Sequence, residues 1–173
     1  MNYVIVGAGP AGVIAAETLR CMDAGANIQL IGDEPEPPYS RMAIPYCLID
    51  RVTEEGTYLR KSDRHFDDLN IEVINDRVLS VSAGEGSVAL GSGTTISYDR
   101  LLVATGSTPI SPPIEGMDLP GVYPCWTLAD YRNIAARADK GAKVVLMGAG
   151  FIGSIILEAL AARGVDLTVV ELE

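Results

Sequence analysis

Short, mainly apolar runs alternate along this chain with segments whose apolar residues recur at helical spacing, and that order predicts most of its elements. Residues 2–6 (NYVIV) predict a buried strand. From 10 to 24 the apolar positions share one helical face, with Ala15, Ala16 and Leu19 available to a sheet. NIQLI at 27–31 then predicts a second, parallel strand, so the opening residues form a βαβ unit. A proline-rich loop (DEPEPPYSR) follows, and MAIPYCLID predicts the start of a short helix, limited by Pro45. Short apolar stretches at 71–74, 76–83, 86–90 and 94–98 predict strands joined by glycine-rich turns. YDRLLVAT predicts another buried strand ending at Gly106. The Pro- and Gly-rich stretch GSTPISPPIEGMDLPGVYP lacks periodicity and predicts a crossing between domains. Beyond it, LADYRNIAARADKG predicts a helix with a glycine stop, followed by a strand at 143–147, a helix at 151–162 and a strand at 167–171.

The beginning and end of this pattern carry one device twice. VIVGAGPAG and VVLMGAGFIG both place glycines at G-x-G-x-x-G spacing between a strand and a helix. In the first copy Gly7 allows the tight turn, Gly9 lets backbone approach a pyrophosphate, and Gly12 allows close helix-to-strand packing. Pro10 suits the first helical turn, and the helix end of Pro10, Ala11 and Gly12 offers N–H groups and a positive dipole to phosphate oxygens. Gly148, Gly150, Phe151, Ile152 and Gly153 repeat the arrangement. Each unit also ends near an acid that can accept a hydrogen bond from an adenosine ribose. The first offers Asp33 or Glu34, and the second offers Glu171, 23 residues beyond Gly148. A carboxylate there suits NAD and repels the extra phosphate of NADP, and Glu173 keeps that end acidic. Two cradles predict two dinucleotides, and NADH with FAD is the economical pair, because nicotinamide delivers two electrons at once and flavin can release them singly.

The expected fold class is therefore α/β: a Rossmann-like FAD-binding domain at 1–110 with a small antiparallel β insertion, a crossing at 111–125, and the first βαβ unit of a Rossmann-like NAD-binding domain at 126–173. Two parallel strands and one helix make a poor independent core, so the second domain is expected to continue in a longer protein.

Charge and rare residues narrow the chemistry. With 23 acidic and 13 basic residues the formal net charge is −10, which argues against nucleic acid or an anionic bilayer as partner. The N-terminus has no basic leader and no apolar run is long enough to span a membrane, so a cytoplasmic setting is expected. Cys21, Cys47 and Cys125 are widely separated, without a CxxC pair, and are read as structural. His65 is the only histidine, which excludes a three-histidine zinc site, and no metal site is expected. Its charged neighbours place it on a helix surface without an identifiable partner, and RKSDR reads as a solvated face.

VIVGAGPAG, PPYSRMAIPYCL, YDRLLVATGSTP, VVLMGAGFIG and VDLTVVELE, in this order, resemble the FAD- and NAD(P)H-dependent pyridine-nucleotide-disulfide oxidoreductase superfamily. The similarity is to its branch of nitrite reductase flavin regions, ferredoxin and rubredoxin reductases, NADH oxidases and coenzyme A-disulfide reductases. It implies FAD in the first cradle and NAD(P)H in the second. It also implies that Arg41 helps hold FAD, that Thr105 and Gly106 bring the chain close to the flavin, and that Val78 lies where adenine meets backbone. A homodimer or larger complex, and a small-molecule or redox-protein electron acceptor, are further implications.

Three positions depart from the family pattern. Met42 stands where the disulfide-active relatives carry a reactive cysteine, and a thioether forms no thiolate. Ile155 replaces a glutamate placed near the nicotinamide, with Glu158 read as a helix-packing residue. No lysine follows Arg41 in the manner of the ferredoxin reductases. The leading expectation is an NADH-dependent flavoprotein reductase without an identified catalytic side chain. A flavin oxidase or dehydrogenase with a vestigial or regulatory NAD site, and a non-catalytic nucleotide-binding or redox-sensing subunit, are the alternatives.

Overall fold

The computed structural model describes residues Met1–Glu171, so Glu173 lies outside the described residues. The chain forms two compact units: Met1–Ser40 with Tyr58–Ser107, and Arg41–Thr57 with the residues from Thr108 onward.

The first unit is built on β1 (Asn2–Val6), β2 (Asn27–Gly32), β3 (Ile71–Asn75) and β7 (Arg100–Val103), all parallel, in the order β3-β2-β1-β7. Helix α1 (Pro10–Met22) makes the crossover from β1 to β2. It ends at Met22, two residues before the predicted limit, and the N–H of the following Asp23 returns to the Leu19 carbonyl. Successive strand residues face opposite sides of the sheet. Ile5, Ile28 and Leu30 pack with Val13 and Ala16 of α1, whereas Val4 and Ile31 pack with Val88 and Leu90 on the other side. Val88 and Leu90 belong to an antiparallel sheet of β4 (Val78–Ser82), β5 (Ser87–Leu90) and β6 (Thr95–Ser97), the predicted insertion. The stretch at 71–74 is a strand of the parallel sheet and not of this insertion.

Two expectations for this unit are corrected. Strand β7 is not buried: Leu102 is 41% and Val103 61% exposed. An apolar run reads as a strand covered on both faces, yet among the described residues β7 lies at the sheet edge beside β1, and of its side chains Leu101 alone packs onto the core. Nor is the charged segment around the short helix α3 (His65–Asp68) simply solvated. Arg60 forks onto Glu17 of α1 (Nε–Oε1 and Nη2–Oε2, both 2.6 Å), and His65 Nε2 lies 2.7 Å from Glu17 Oε1. The Arg60 hydrogen bonds, joined by that from His65, hold the Glu17 carboxyl below the usual glutamate range.

In the second unit a short 3-10 turn (Arg41–Ala43) leads into α2 (Ile44–Leu48), with Pro45 in its first turn where no hydrogen-bond donor is lost. Strands β8 (Lys143–Met147) and β9 (Asp166–Val170) pair in parallel through α5 (Phe151–Ala162). Helix α4 (Leu128–Ala135) is shorter than predicted. It starts on a capping box between Thr127 and Asp130 and stops at Ala136, well before Gly141, which serves instead in the turn into β8. A linear boundary at residue 110 leaves 41–57 with the first domain, whereas these residues pack with the second unit. Leu48 is fully buried among Ile156, Ala159 and Leu160, and Arg132 of α4 pairs with Glu54.

Arg163 holds this arrangement together. Its Nε donates to the Ala138 carbonyl (2.8 Å), Nη1 to Leu48 (2.7 Å) and Nη2 to Ala135 (3.0 Å), and the side chain is 16% exposed. Truncating it to alanine strips three carbonyls of a charged donor. We expect Arg163→Ala to lower stability by about 3 kcal/mol, read from the urea transition of this unit. Lysine, which lacks the planar fork, is expected to recover less than half of that loss.

Among the described residues no helix is long and apolar enough to cross a membrane.

Candidate functional site

Both glycine loops have the same backbone construction. Gly7 follows β1 with φ +115° and Gly148 follows β8 with φ +95°, values that disfavour any side chain. Their N–H groups donate to the end of the neighbouring strand, Gly7 to the Ile31 carbonyl at 2.7 Å and Gly148 to the Val170 carbonyl at 2.8 Å. The third glycine of each loop lies against the first. A methyl group on Gly12 would overlap the Gly7 carbonyl oxygen, and one on Gly153 would overlap that of Gly148. These four glycines are required by the folding of the chain itself.

The middle glycines differ. Gly9 and Gly150 have extended backbones (φ −79°, ψ −176° and φ −65°, ψ −171°), and a Cβ built on either meets nothing within 4 Å. A Cβ stands there without strain or clash. The packing of the chain gives no reason for glycine at these two positions, whereas a ligand seated against the backbone does.

Each open position caps a helix. Neither α1 nor α5 has a side-chain cap or an acid in its first turn. The first bond inside α1 runs from the Val13 N–H to the Gly9 carbonyl (3.0 Å), and that inside α5 from Ser154 to Gly150 (2.9 Å). The N–H groups of Ala11 and Gly12, and those of Phe151, Ile152 and Gly153, therefore have no partner within their own helix. Pro10 has no N–H to orphan. Phe151 and Ile152 have exposed side chains. An uncapped helix end with a bare approach can receive an anion, and both loops have this construction.

The first cradle lies at the carboxyl ends of the strands, where the order reverses between β1 and β7, the usual ligand position in such sheets. Thr105 and Gly106 follow β7 into the same place. The Ala104 N–H donates to the Val6 carbonyl (2.7 Å), and a side chain on Gly7 would strike the Ala104 carbonyl. A cavity of about 240 Å³ adjoins the loop, lined by Ala8, Gly32, Glu34, Pro35 and the end of β3 at Val73, Ile74 and Asn75.

The two candidate acids separate here. Glu34 lines the cavity and accepts a hydrogen bond from the Tyr39 hydroxyl, whereas Asp33 lies 4.0 Å from Arg77 Nε. Val78 packs its side chain on the Val4, Ile31, Val88 and Leu90 cluster and is not among the lining residues. Sequence reasoning missed Ala8, Gly32, Val73 and Asn75. The signal was present in LIGDE: glycine ending a strand lets the Ala8 methyl pack against it, since a Cβ on Gly32 would come within 2.7 Å of the Ala8 Cβ.

In the second cradle the Glu171 carboxylate accepts a hydrogen bond from the Ala149 N–H, so the acid at the end of β9 stands against the glycine loop. Ile155 is half-buried, and Glu158 is exposed rather than packed. Arg41 belongs to this unit, with its guanidinium 5.1 Å from the centre of the Trp126 ring and Nη1 donating to the Trp126 carbonyl at 3.0 Å.

The thiols are unequal. Burial, then the charges of Glu54, Asp50 and Glu55, push Cys47 up, and burial with Asp130 pushes Cys125 up to about 12. Cys21, expected to be buried, is exposed on α1 because it falls outside the helix face that meets the sheet. We expect a thiol reagent at pH 8 to modify Cys21 rapidly in the folded protein, with Cys47 and Cys125 reacting only on unfolding. A second rapidly reacting cysteine would contradict this order. Met42 is exposed and brings no thiol to the position of the family's reactive cysteine.

All of residues 1–173 match the family described as pyridine nucleotide-disulphide oxidoreductase. Similar proteins include a rhodocoxin reductase of Rhodococcus erythropolis, 33% identical over 99% of this chain and 40% of its own length. An NADH oxidase of Methanocaldococcus jannaschii is 32% identical over 99% of this chain and 40% of its own length. The crystal structure of a ferredoxin reductase from Rhodopseudomonas palustris superposes with a TM-score of 0.91 at 33% identity, covering 99% of this chain and 42% of that one. The chain thus spans about 40% of the length of the curated relatives it matches.

Proposed function

The chain belongs to the pyridine nucleotide-disulphide oxidoreductase family, and we propose that it carries the two nucleotide cradles of an NADH-dependent flavoprotein reductase, with FAD on the Gly7–Gly12 loop and NADH on the Gly148–Gly153 loop. The observation that carries this reading is the pair of glycines, Gly9 and Gly150, whose missing side chains serve no contact within the fold. When bound, NADH supplies a hydride and the flavin passes the electrons to an acceptor.

The work of this chain is binding and orientation. The N–H groups of Ala11 and Gly12 receive one diphosphate, with Glu34 on the ribose. Those of Phe151, Ile152 and Gly153 receive the other, with Glu171 on its ribose. The Glu171 carboxylate favours a 2′-hydroxyl over a 2′-phosphate, hence NADH over NADPH. Thr105 and Gly106 bring the end of β7 toward the flavin, and Arg41 is proposed to assist in holding FAD. With methionine at position 42, that position contributes no thiolate for disulfide exchange.

The relatives named as reductases of rhodocoxin and ferredoxin support a redox protein as the electron acceptor. A second reading, an oxidase or dehydrogenase with a regulatory NAD site, is favoured by Ile155 in place of the family glutamate. Anaerobic addition of NADH to the flavin-loaded whole protein separates the two. Rapid bleaching of the visible flavin band supports the reductase, whereas bleaching by an organic substrate and not by NADH supports the alternative.

A further inference from the structure

On the reading that the first cradle holds FAD, we propose that Tyr39 is a positioning residue that fixes Glu34 for the adenosine ribose.

Tyr39 is 6% exposed, and its hydroxyl donates to Glu34 Oε2. Its backbone is held as firmly as its ring. Tyr39 forms an antiparallel bridge with Tyr58, and the Leu59 N–H donates to the Pro38 carbonyl at 2.9 Å. Between the acid and the phenol the chain reads Pro35-Glu36-Pro37-Pro38, three prolines in four residues, each with φ confined by its ring. The phenol therefore approaches Glu34 from a stiff loop.

The partner it meets needs such support. Glu34 is the acid that lines the cavity beside Ala8 and Gly32, among apolar side chains such as Val73. A glutamate has three rotatable side-chain bonds, and ordering it against a ribose costs rotamer entropy unless it is ordered beforehand. The Tyr39 hydroxyl selects one of those rotamers, the one that lines the cavity. A carboxylate has about four acceptor positions over its two oxygens, so a bond to Tyr39 is compatible with accepting from a ribose diol as well. Asp33 instead lies 4.0 Å from Arg77 Nε, with both side chains more than half exposed. The structure thus assigns the ribose to Glu34 and the orientation of Glu34 to Tyr39.

Tyr39→Phe keeps the ring and removes the donor. FAD binding to cofactor-stripped protein is expected to weaken about tenfold, the loss appropriate to one hydrogen bond to a charged group. In a Glu34→Ala background, Tyr39→Phe is expected to change FAD affinity less than about twofold, because the residue through which it acts is gone.

Displacement of FAD by ADP and by 2′,3′-dideoxy-ADP supplies a readout that a merely structural tyrosine would not move. Wild type is expected to prefer ADP, and Tyr39→Phe to reduce that preference about tenfold. Equal weakening toward both nucleotides, or full additivity with Glu34→Ala, overturns the role of Tyr39 while leaving the FAD site intact. Wild-type protein that binds no FAD overturns the cofactor assignment and this inference with it.

Discussion

Replacing Gly9 by aspartate is expected to abolish FAD binding while leaving the melting temperature of the cofactor-free protein within about 3 °C of cofactor-free wild type. The two halves of this result have separate causes. Gly9 has an extended backbone, and a Cβ there meets no atom within 4 Å, so the side chain is accommodated without strain. It also stands at the N-cap of α1, where aspartate is among the best residues and can accept from the first-turn N–H groups. Folding is therefore neutral or slightly favoured. The same carboxylate stands where the diphosphate is proposed to lie. Two negative charges about 4 Å apart repel by about 4 kcal/mol in a partly solvated site, near a thousandfold in affinity.

Gly12→Ala provides the contrast. Its methyl group would strike the Gly7 carbonyl oxygen and approach the Leu30 side chain, a backbone clash that repacking cannot relieve. That variant is expected to lose about 3 kcal/mol of stability by thermal or urea unfolding, with cofactor binding lost as a consequence. Two glycines in one loop thus separate ligand space from packing space. Loss of stability in Gly9→Asp equal to that in Gly12→Ala would show that the loop is only a tight turn.

The second large effect belongs to the other cradle. Gly150→Asp is expected to leave the protein yellow, with its FAD content unchanged, and to weaken NADH about a thousandfold. Gly150 matches Gly9 in its extended backbone, its open Cβ direction and its place at the start of a helix without a side-chain cap. An aspartate there turns an anion site into an anion-repelling one. Stopped-flow mixing with NADH under anaerobic conditions is expected to show no flavin bleaching at concentrations that reduce wild type fully. Dithionite, which needs no cradle, is expected to bleach both proteins alike. NADH reduction that survives Gly150→Asp would place the nicotinamide nucleotide elsewhere and detach the second loop from catalysis.

The parts of the molecule legible in the sequence are those governed by local rules. Strands β1 and β8 and helix α5 follow directly from apolar runs and helical periodicity, and the two glycine loops from backbone demands that only glycine meets at Gly7 and Gly148. The parts that escaped depend on partners far away in the chain. Nothing near Leu48 shows that it will be buried beside Ile156 and Leu160, or that Arg163 will donate to its carbonyl. Grouping residues 41–57 with the second unit rests on those remote contacts.

The polar pairs follow the same logic. His65 and Arg60 look solvated among their charged neighbours, yet Glu17 on α1 holds both. The choice between Asp33 and Glu34 could not be read from spacing, because adjacent residues leaving a strand diverge in direction. Of the two, Glu34 lines the cavity and meets Tyr39.

The central claim is that this chain offers two separate seats for an adenine dinucleotide. Calorimetric titration of cofactor-free protein with ADP, the fragment common to FAD and NADH, counts those seats directly. The account predicts two equivalents bound, one abolished by Gly9→Asp and the other by Gly150→Asp. Binding of a single equivalent, or of two that both persist in the double variant, would contradict it.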